Sequence, residues 1–388
     1  MDPRREPEQM SEDRGRRPSP PAHMPGKGAL KTVIGVISGT SMDGIDVALI
    51  RSDGGMRVET GPAATFPYPE PIARALRAVV ANPSEAEKPQ AELERAVTDA
   101  HVAAVEAFLE RFVIARESVA LAGLHGQTIL HRPEARLTRQ LCDGRRAAAA
   151  LKIDVVCDFR SADVAAGGEG APLAPVYHAA MAASLERPLM ILNWGGVGNV
   201  TWLGRNGEIV AFDTGPANAL IDDFLLRRRD VPFDEDGALA SLGRVDAAAL
   251  EAMMRDPYFD RAPPKSLDRN AFAAIAAAVD ALSDQDGAAT LAAFTVEATA
   301  AALRQVPEAP KRWLVGGGGR RNANLMRRLA EKLGVGIEPV ERIGFDGDAI
   351  EAQCFAYLAL RSRLRAPLSF PTTTGVAQPM TGGVFWPA

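Results

Sequence analysis

Two distant stretches of the chain follow one plan. Thr32-Val33-Ile34-Gly35-Val36-Ile37 reads as a buried strand, a loop of small and acidic residues follows, and Asp46-Val47-Ala48-Leu49-Ile50 reads as its neighbour. Ser52-Asp53-Gly54-Gly55 is a turn signal, after which Arg57 to Phe66 predicts a third strand. Near the middle the plan returns. Leu189 to Asn193 predicts a strand, Gly195-Gly196-Val197-Gly198 a glycine turn, and Asn199 to Leu203 a second strand. Arg205-Asn206-Gly207-Glu208 then turns the chain into Ile209 to Phe212, a strand that stops at Asp213. Two copies of strand, turn, strand and turn suggest a duplicated domain.

Helical periods fill the spaces between. Leu93, Val97, Val105, Leu109 and Phe112 fall on one helical face, with Glu92, Arg95, Asp99 and Glu106 left for solvent. Val119 to Leu124 is a short apolar strand ending in His125-Gly126-Gln127-Thr128. Later segments predict a helix over Leu291 to Leu303, a strand at Trp313-Leu314-Val315, and helices over Asn322 to Leu333 and Ala349 to Leu364. Strands alternating with helices in both halves imply an α/β protein of two lobes. The segment up to about Gly28 has almost no large apolar side chains and is expected to be a disordered extension.

Composition narrows the function. With 388 residues and 47% hydrophobic residues the chain can bury two ordinary cores. A net charge of −5 disfavours a nucleic-acid partner, and no apolar run is long enough for a membrane span. The charged start does not read as a secretory signal, and three widely spaced cysteines fit a reducing, cytoplasmic setting. No Cys/His zinc spacing and no G-x-S-x-G elbow occur.

Four segments carry polar chemistry. Gly39-Thr40-Ser41-Met42-Asp43-Gly44-Ile45-Asp46 lies between two predicted strands. Its small residues let backbone N–H groups approach an anion, and Asp43 and Asp46 offer carboxylates to a magnesium ion. It is not a Walker A loop; the plain alternative is a tight hairpin. Asp158-Phe159-Arg160-Ser161-Ala162-Asp163, followed by Gly167 to Pro172, suits a polar or anionic substrate or else a surface ion-pair cluster. Asp213 ends a strand before the Gly215-Pro216 turn and Asn218, where it is either a catalytic acid facing a crevice or a helix cap. Gly316-Gly317-Gly318-Gly319 before Asn322 offers a bare floor for a purine or phosphates, or close strand–helix packing. His125 and His131 bracket Gly126-Gln127-Thr128, and one of them can face the crevice.

Taken in order, these segments resemble the anhydro-N-acetylmuramic acid kinase family. The resemblance adds Asn193 with Gly195-Gly196 and Asn199, Asp256-Pro257-Tyr258-Phe259 before Pro263-Pro264-Lys265-Ser266, and Asp346-Gly347-Asp348 leading to Glu351-Ala352. It runs from about Lys31 to the C-terminus. It implies the actin-like ATPase (ribonuclease-H-like) fold, duplicated into two lobes around a central cleft. The lobes would be residues 30–157, completed by 366–388, and 158–365, with 1–29 as the extension. It also implies ATP and Mg2+, a 1,6-anhydro-N-acetylmuramic acid substrate, a role in peptidoglycan recycling, and a homodimer. Asp213 would be the catalytic base. Gly39 to Asp46, Gly195, Gly196, Asn199, Gly316, Gly317, Gly318 and Asn322 would bind the nucleotide. His125, Gln127, Asp158, Arg160, Asp163 and Asn218 would bind the sugar, and Asp43 the metal. The chain differs from the usual family pattern at Trp194, Ala217, Glu169, Leu267-Asp268 and Cys142. The alternatives are a kinase of the same superfold acting on another amino sugar hydroxyl, and a nucleotide-binding protein without transfer activity.

Overall fold

The computed structural model describes residues 28–39, 42, 44–269 and 271–388. The expected N-terminal extension up to residue 27 therefore lies outside the described residues, as do Thr40, Ser41 and Asp43.

The first sheet is built from β1 (Lys31–Ser38), β2 (Gly44–Ser52), β3 (Val58–Pro67) and β4 (Leu121–Leu124). A separate hairpin of β5 (Gln127–Arg132) and β6 (Leu137–Leu141) precedes β7 (Val155–Cys157), which rejoins the sheet. The second sheet holds β8 (Leu189–Trp194), β9 (Val197–Leu203), β10 (Ile209–Pro216), β11 (Arg312–Gly316) and β12 (Gly336–Pro339). Finally β13 (Val384–Trp386) pairs antiparallel with β7 at the edge of the first sheet.

Both sheets have one topology. The order is β3-β2-β1-β4-β7 in the first and β10-β9-β8-β11-β12 in the second. In each, the first three strands form an antiparallel meander, and the last two add parallel to the first strand. The duplication expected from the repeated plan is thus present strand for strand.

Period-two alternation sorts the strands' side chains into layers. On β1, Ile34 and Val36 enter an outer core with the helices Ala91–Arg111 and Gly144–Leu151. Val33 and Ile37 enter a central core. Likewise Met190 and Leu192 of β8 join the outer core of the second lobe, while Leu189 and Ile191 join the central one. Both faces of each sheet are covered, which is why these strands read as continuous apolar runs.

The central layer contains the helices Pro175–Met181 and Ile350–Arg363. The division of the chain at 365 assigns Ile350–Arg363 to the C-terminal lobe, yet it lies directly on the first sheet. Two glycines allow this. Gly35 and Gly123 are register partners on β1 and β4, and a Cβ on either would collide with the helix backbone at Ala352 and Phe355. Two element limits also differ from expectation. Strand β10 continues past Asp213 through an irregularity between Asp213 and Gly215. The helix expected from Leu291 starts at Asp284, where the Ser283 hydroxyl accepts the Asp286 N–H at 3.1 Å as its cap.

Candidate active site

Between the lobes lies a cavity of about 400 Å³, a volume typical of small-molecule sites. Its wall combines the ends of corresponding strands. Asp46 on β2 is the register partner of Ile37, and Asn199 on β9 is the register partner of Asn193. The duplication therefore sets Asp46 and Asn199 at matching places in the two lobes, and both line the cavity. Gly195, Gly316, Gly317, Gly318, Arg160 and Asp213 line it too.

Asp213 is held from several directions by one crossing segment. Its N–H donates to the Lys265 carbonyl at 3.0 Å, and its Oδ2 accepts the Leu267 N–H at 2.8 Å. The Tyr258 hydroxyl donates to the Asp213 carbonyl at 2.6 Å. Burial raises the carboxyl pKa to about 7; the Leu267 N–H opposes the shift, the negative charge of Glu169 adds to it, and Lys265 opposes it. Lys265 is itself buried, donates to the Tyr258 carbonyl at 3.0 Å, and lies 4.5 Å from the Tyr258 ring centroid. Burial, with Arg261 and Arg304 nearby, lowers its pKa to about 8.

Arg160 brings a cation to the same cavity. It forms no ion pair with Asp158 or Asp163, so of the two readings the sequence left open the ion-pair cluster is absent. Its Nε–H donates to His125 Nε2 at 3.0 Å and its Nη1 to the Gly170 carbonyl at 2.7 Å. The Nε2 of His125 is therefore the unprotonated nitrogen, and Nδ1–H donates to the Gly126 carbonyl at 2.9 Å. Burial and the Arg160 charge hold this histidine well below its usual range. His125 thus orients Arg160 and is not free to meet a ligand.

Other expected ligands also turn out to shape the site's backbone. Asp163 is buried, accepting from the Gly170 N–H at 2.7 Å, the Thr374 hydroxyl at 2.6 Å and the Ser369 hydroxyl. It ties the glycine loop to the C-terminal tail. Asp158 accepts the Ser161 N–H at 3.3 Å. Gln127 is buried and donates to the Gly39 carbonyl at 3.2 Å, which also accepts the Met42 N–H at 3.2 Å. Met42 and Ile45 point into the outer core, and Gly44 starts β2 against Thr65. Asn218 donates to the Trp194 and Gly195 carbonyls at 3.0 and 2.9 Å, which fixes the Gly195-Gly196 turn. Asn322 caps the helix Ala323–Leu333 by accepting the Leu325 N–H at 3.0 Å.

Gly316, Gly317 and Gly318 line the cavity, while Gly317 and Gly319 also pack closely against Asn193 and Trp194. Gly317 has φ 71°, and a Cβ there would lie 2.5 Å from Asn193 Oδ1, whereas Gly318 meets nothing closer than 4.0 Å. Arg320 pins this turn, donating to the Gly317 carbonyl at 2.9 Å and pairing with Glu341 and Asp348. Glu351 on the first turn of Ile350–Arg363 was named in the sequence only within a motif. Although much of it is accessible by area, surrounding protein raises its carboxyl pKa, Asp46 adds to the shift, and Arg160 opposes it. Asp46 and Glu351 both line the cavity, and their carboxylate oxygens are of the type that suits a hydrated divalent cation. No group of three metal-binding side chains gathers among the described residues. No helix among them is long and apolar enough to cross a membrane.

Residues 31–388 match the family described as Anhydro-N-acetylmuramic acid kinase. A relative of that name from Rhodospirillum rubrum is 53% identical over 359 residues, covering 92% of this chain and 94% of its own. A second, from Paramagnetospirillum magneticum, is 51% identical over 351 residues, covering 90% and 98%. Among solved structures, the chain is similar to the activator of the 2-hydroxyisocaproyl-CoA dehydratase from Clostridium difficile with bound ADPNP. That likeness has a TM-score of 0.44 and 11% identity over 86% of this chain and 96% of the other. By the match over nearly its whole length and the identity to these relatives, the chain belongs to the anhydro-N-acetylmuramic acid kinase family.

Proposed function

We propose that this chain opens the 1,6-anhydro ring of 1,6-anhydro-N-acetylmuramic acid with water and transfers the γ-phosphoryl group of ATP to O6. The products are N-acetylmuramic acid 6-phosphate and ADP, and the setting is cytoplasmic peptidoglycan recycling by a homodimer. The observation that carries the reading is Asp213, a carboxylate on the inter-lobe cavity whose pKa of about 7 suits a general base near neutrality.

In the anhydro sugar O6 is bound to C1, so no free 6-hydroxyl exists to phosphorylate. Asp213 takes a proton from water as the water oxygen bonds to C1. The C1–O6 bond breaks, and O6 forms its new bond to the γ-phosphorus as ADP leaves. Phosphoryl transfer replaces the acid that an ordinary glycosidase uses to protonate its leaving group. Lys265 and Tyr258 anchor the Asp213 backbone and the Leu267 N–H holds its carboxylate, which keeps the base aimed at one face of the sugar. Arg160, oriented by His125, offers a cation to the anionic reactants. The Gly195-Gly196 turn and the Gly316–Gly318 floor present backbone to the nucleotide. Asp46 and Glu351 would hold Mg2+, which when bound neutralises phosphate charge.

The test is ADP release measured with the anhydro sugar, with N-acetylmuramic acid and with glucosamine derivatives. Release with the anhydro sugar, and ¹⁸O from water on the C1 hydroxyl rather than in phosphate, is expected. Release only with a free-hydroxyl sugar overturns the ring-opening step.

A further inference from the structure

Asp213 does not stand alone as an acid. The loop carrying Glu169 is fixed by its backbone. Gly168 N–H donates to the Asp163 carbonyl at 2.9 Å, Glu169 N–H to the Thr374 carbonyl at 2.7 Å, and Gly170 N–H to Asp163 Oδ1 at 2.7 Å. The Glu169 side chain is then held by the Ser266 hydroxyl, which donates to Oε2 at 2.7 Å. Ser266 lies between the two residues that bind Asp213, since Lys265 supplies a carbonyl to its N–H and Leu267 an N–H to its carboxylate. One three-residue segment therefore clamps two carboxylates in fixed relation.

The surrounding charges do not cancel this arrangement. Lys265 faces Asp213 and partly opposes the shift while donating one N–H to the Tyr258 carbonyl, and among the described residues no cation forms an ion pair with Glu169. His131, which is kept below its usual pKa by burial and by Arg160, also faces the Glu169 loop, and the Tyr258 hydroxyl is donated to the Asp213 carbonyl. Across the cavity stand Asp46, Glu351 and Arg160. Glu169 is thus a near negative charge whose position is set by the same segment that sets the base.

We infer that Glu169, tethered by Ser266, is a positioning residue for proton removal: its charge adds to burial in favouring the protonated form of Asp213 and so shifts the pH at which the base becomes active. The inference rests on Asp213 being the base.

The test uses Glu169→Gln and Ser266→Ala in the full chain. Gln keeps the volume and can still accept from Ser266, but removes the charge. The acid limb of kcat/KM should move to lower pH by about half a unit or more in Glu169→Gln. It should move less, in the same direction, in Ser266→Ala, where the freed side chain can turn away. In parallel, ¹³C NMR of the aspartate carboxyls, with the Asp213 signal identified by its loss in Asp213→Asn, reads the proton affinity without catalysis. An Asp213 titration unchanged by Glu169→Gln in a normally melting protein overturns the inference. A titration that shifts while the acid limb of the rate stays put upholds the coupling and removes Asp213 from the base role.

Discussion

Replacing Asp213 by Asn separates catalysis from stability. The Asn side chain keeps the volume, and its carbonyl can still accept the Leu267 N–H seen at 2.8 Å. It cannot take a proton from water, so turnover should fall by about 10²–10⁴. Stability should change in the opposite sense. The carboxyl pKa is near 3.8 in an unfolded chain and about 7 in the fold, mainly because burial disfavours the charged form. Between these values the folded state binds the extra proton, so the wild type loses stability as pH rises from 4 to 7 and no further above it. At about 1.4 kcal/mol per pKa unit, the three-unit displacement bounds the effect at about 4 kcal/mol, and cavity water screening a partly open group reduces it to ~1–2 kcal/mol. The Asn variant should therefore melt higher than the wild type at pH 8, with the gain shrinking by pH 5. Calorimetry at both pH values and a coupled ADP-release assay read the two effects. Near-normal turnover would refute the base assignment, and a lower melting temperature at pH 8 would refute the desolvation argument.

Other positions test how the site is built. Gly35→Ala sets a methyl group into the backbone of Ile350–Arg363 and should cost about 3 kcal/mol or more, read by denaturant unfolding; a change below about 1 kcal/mol would mean that the helix can move off the sheet. Asn322→Ala should lose the helix cap, about 1 kcal/mol, while the KM for ATP stays within error; a large rise in KM would restore Asn322 as a nucleotide ligand. Gly318→Val, on the open floor of the cavity, should raise the KM for ATP several-fold with little change in melting temperature, and an unchanged KM would remove the floor from the nucleotide site.

Much of this protein was legible in the chain itself because its elements are local. The strands at Lys31–Ser38 and Leu189–Trp194 are apolar on both faces, and turn residues punctuate them, so the repeated plan survives as a repeated sheet order. Asp213 and the Gly316–Gly318 run were also visible as candidates at strand ends, and the fold places both on the cavity, although the sequence left a helix cap and close packing open as their uses. Hydrogen-bond partners were not, because they depend on which distant segments meet. Arg160 flanked by two acids read either as a site for a polar or anionic substrate or as an ion-pair cluster; the fold sets it on the cavity, turned to His125, 35 positions away, and leaves Asp163 to the C-terminal tail. Gln127, Asn218 and Asn322 have the right chemistry to bind ligands, yet Gln127 and Asn218 donate to distant backbone carbonyls and Asn322 caps a helix. The segment at Lys265 to Leu267 showed no sign of its role at Asp213, 54 residues from Leu267. Amide and carboxylate groups are equally able to serve backbone or ligand, and only the tertiary contacts decide which, since a buried donor or acceptor must be satisfied by whatever group the fold brings within reach.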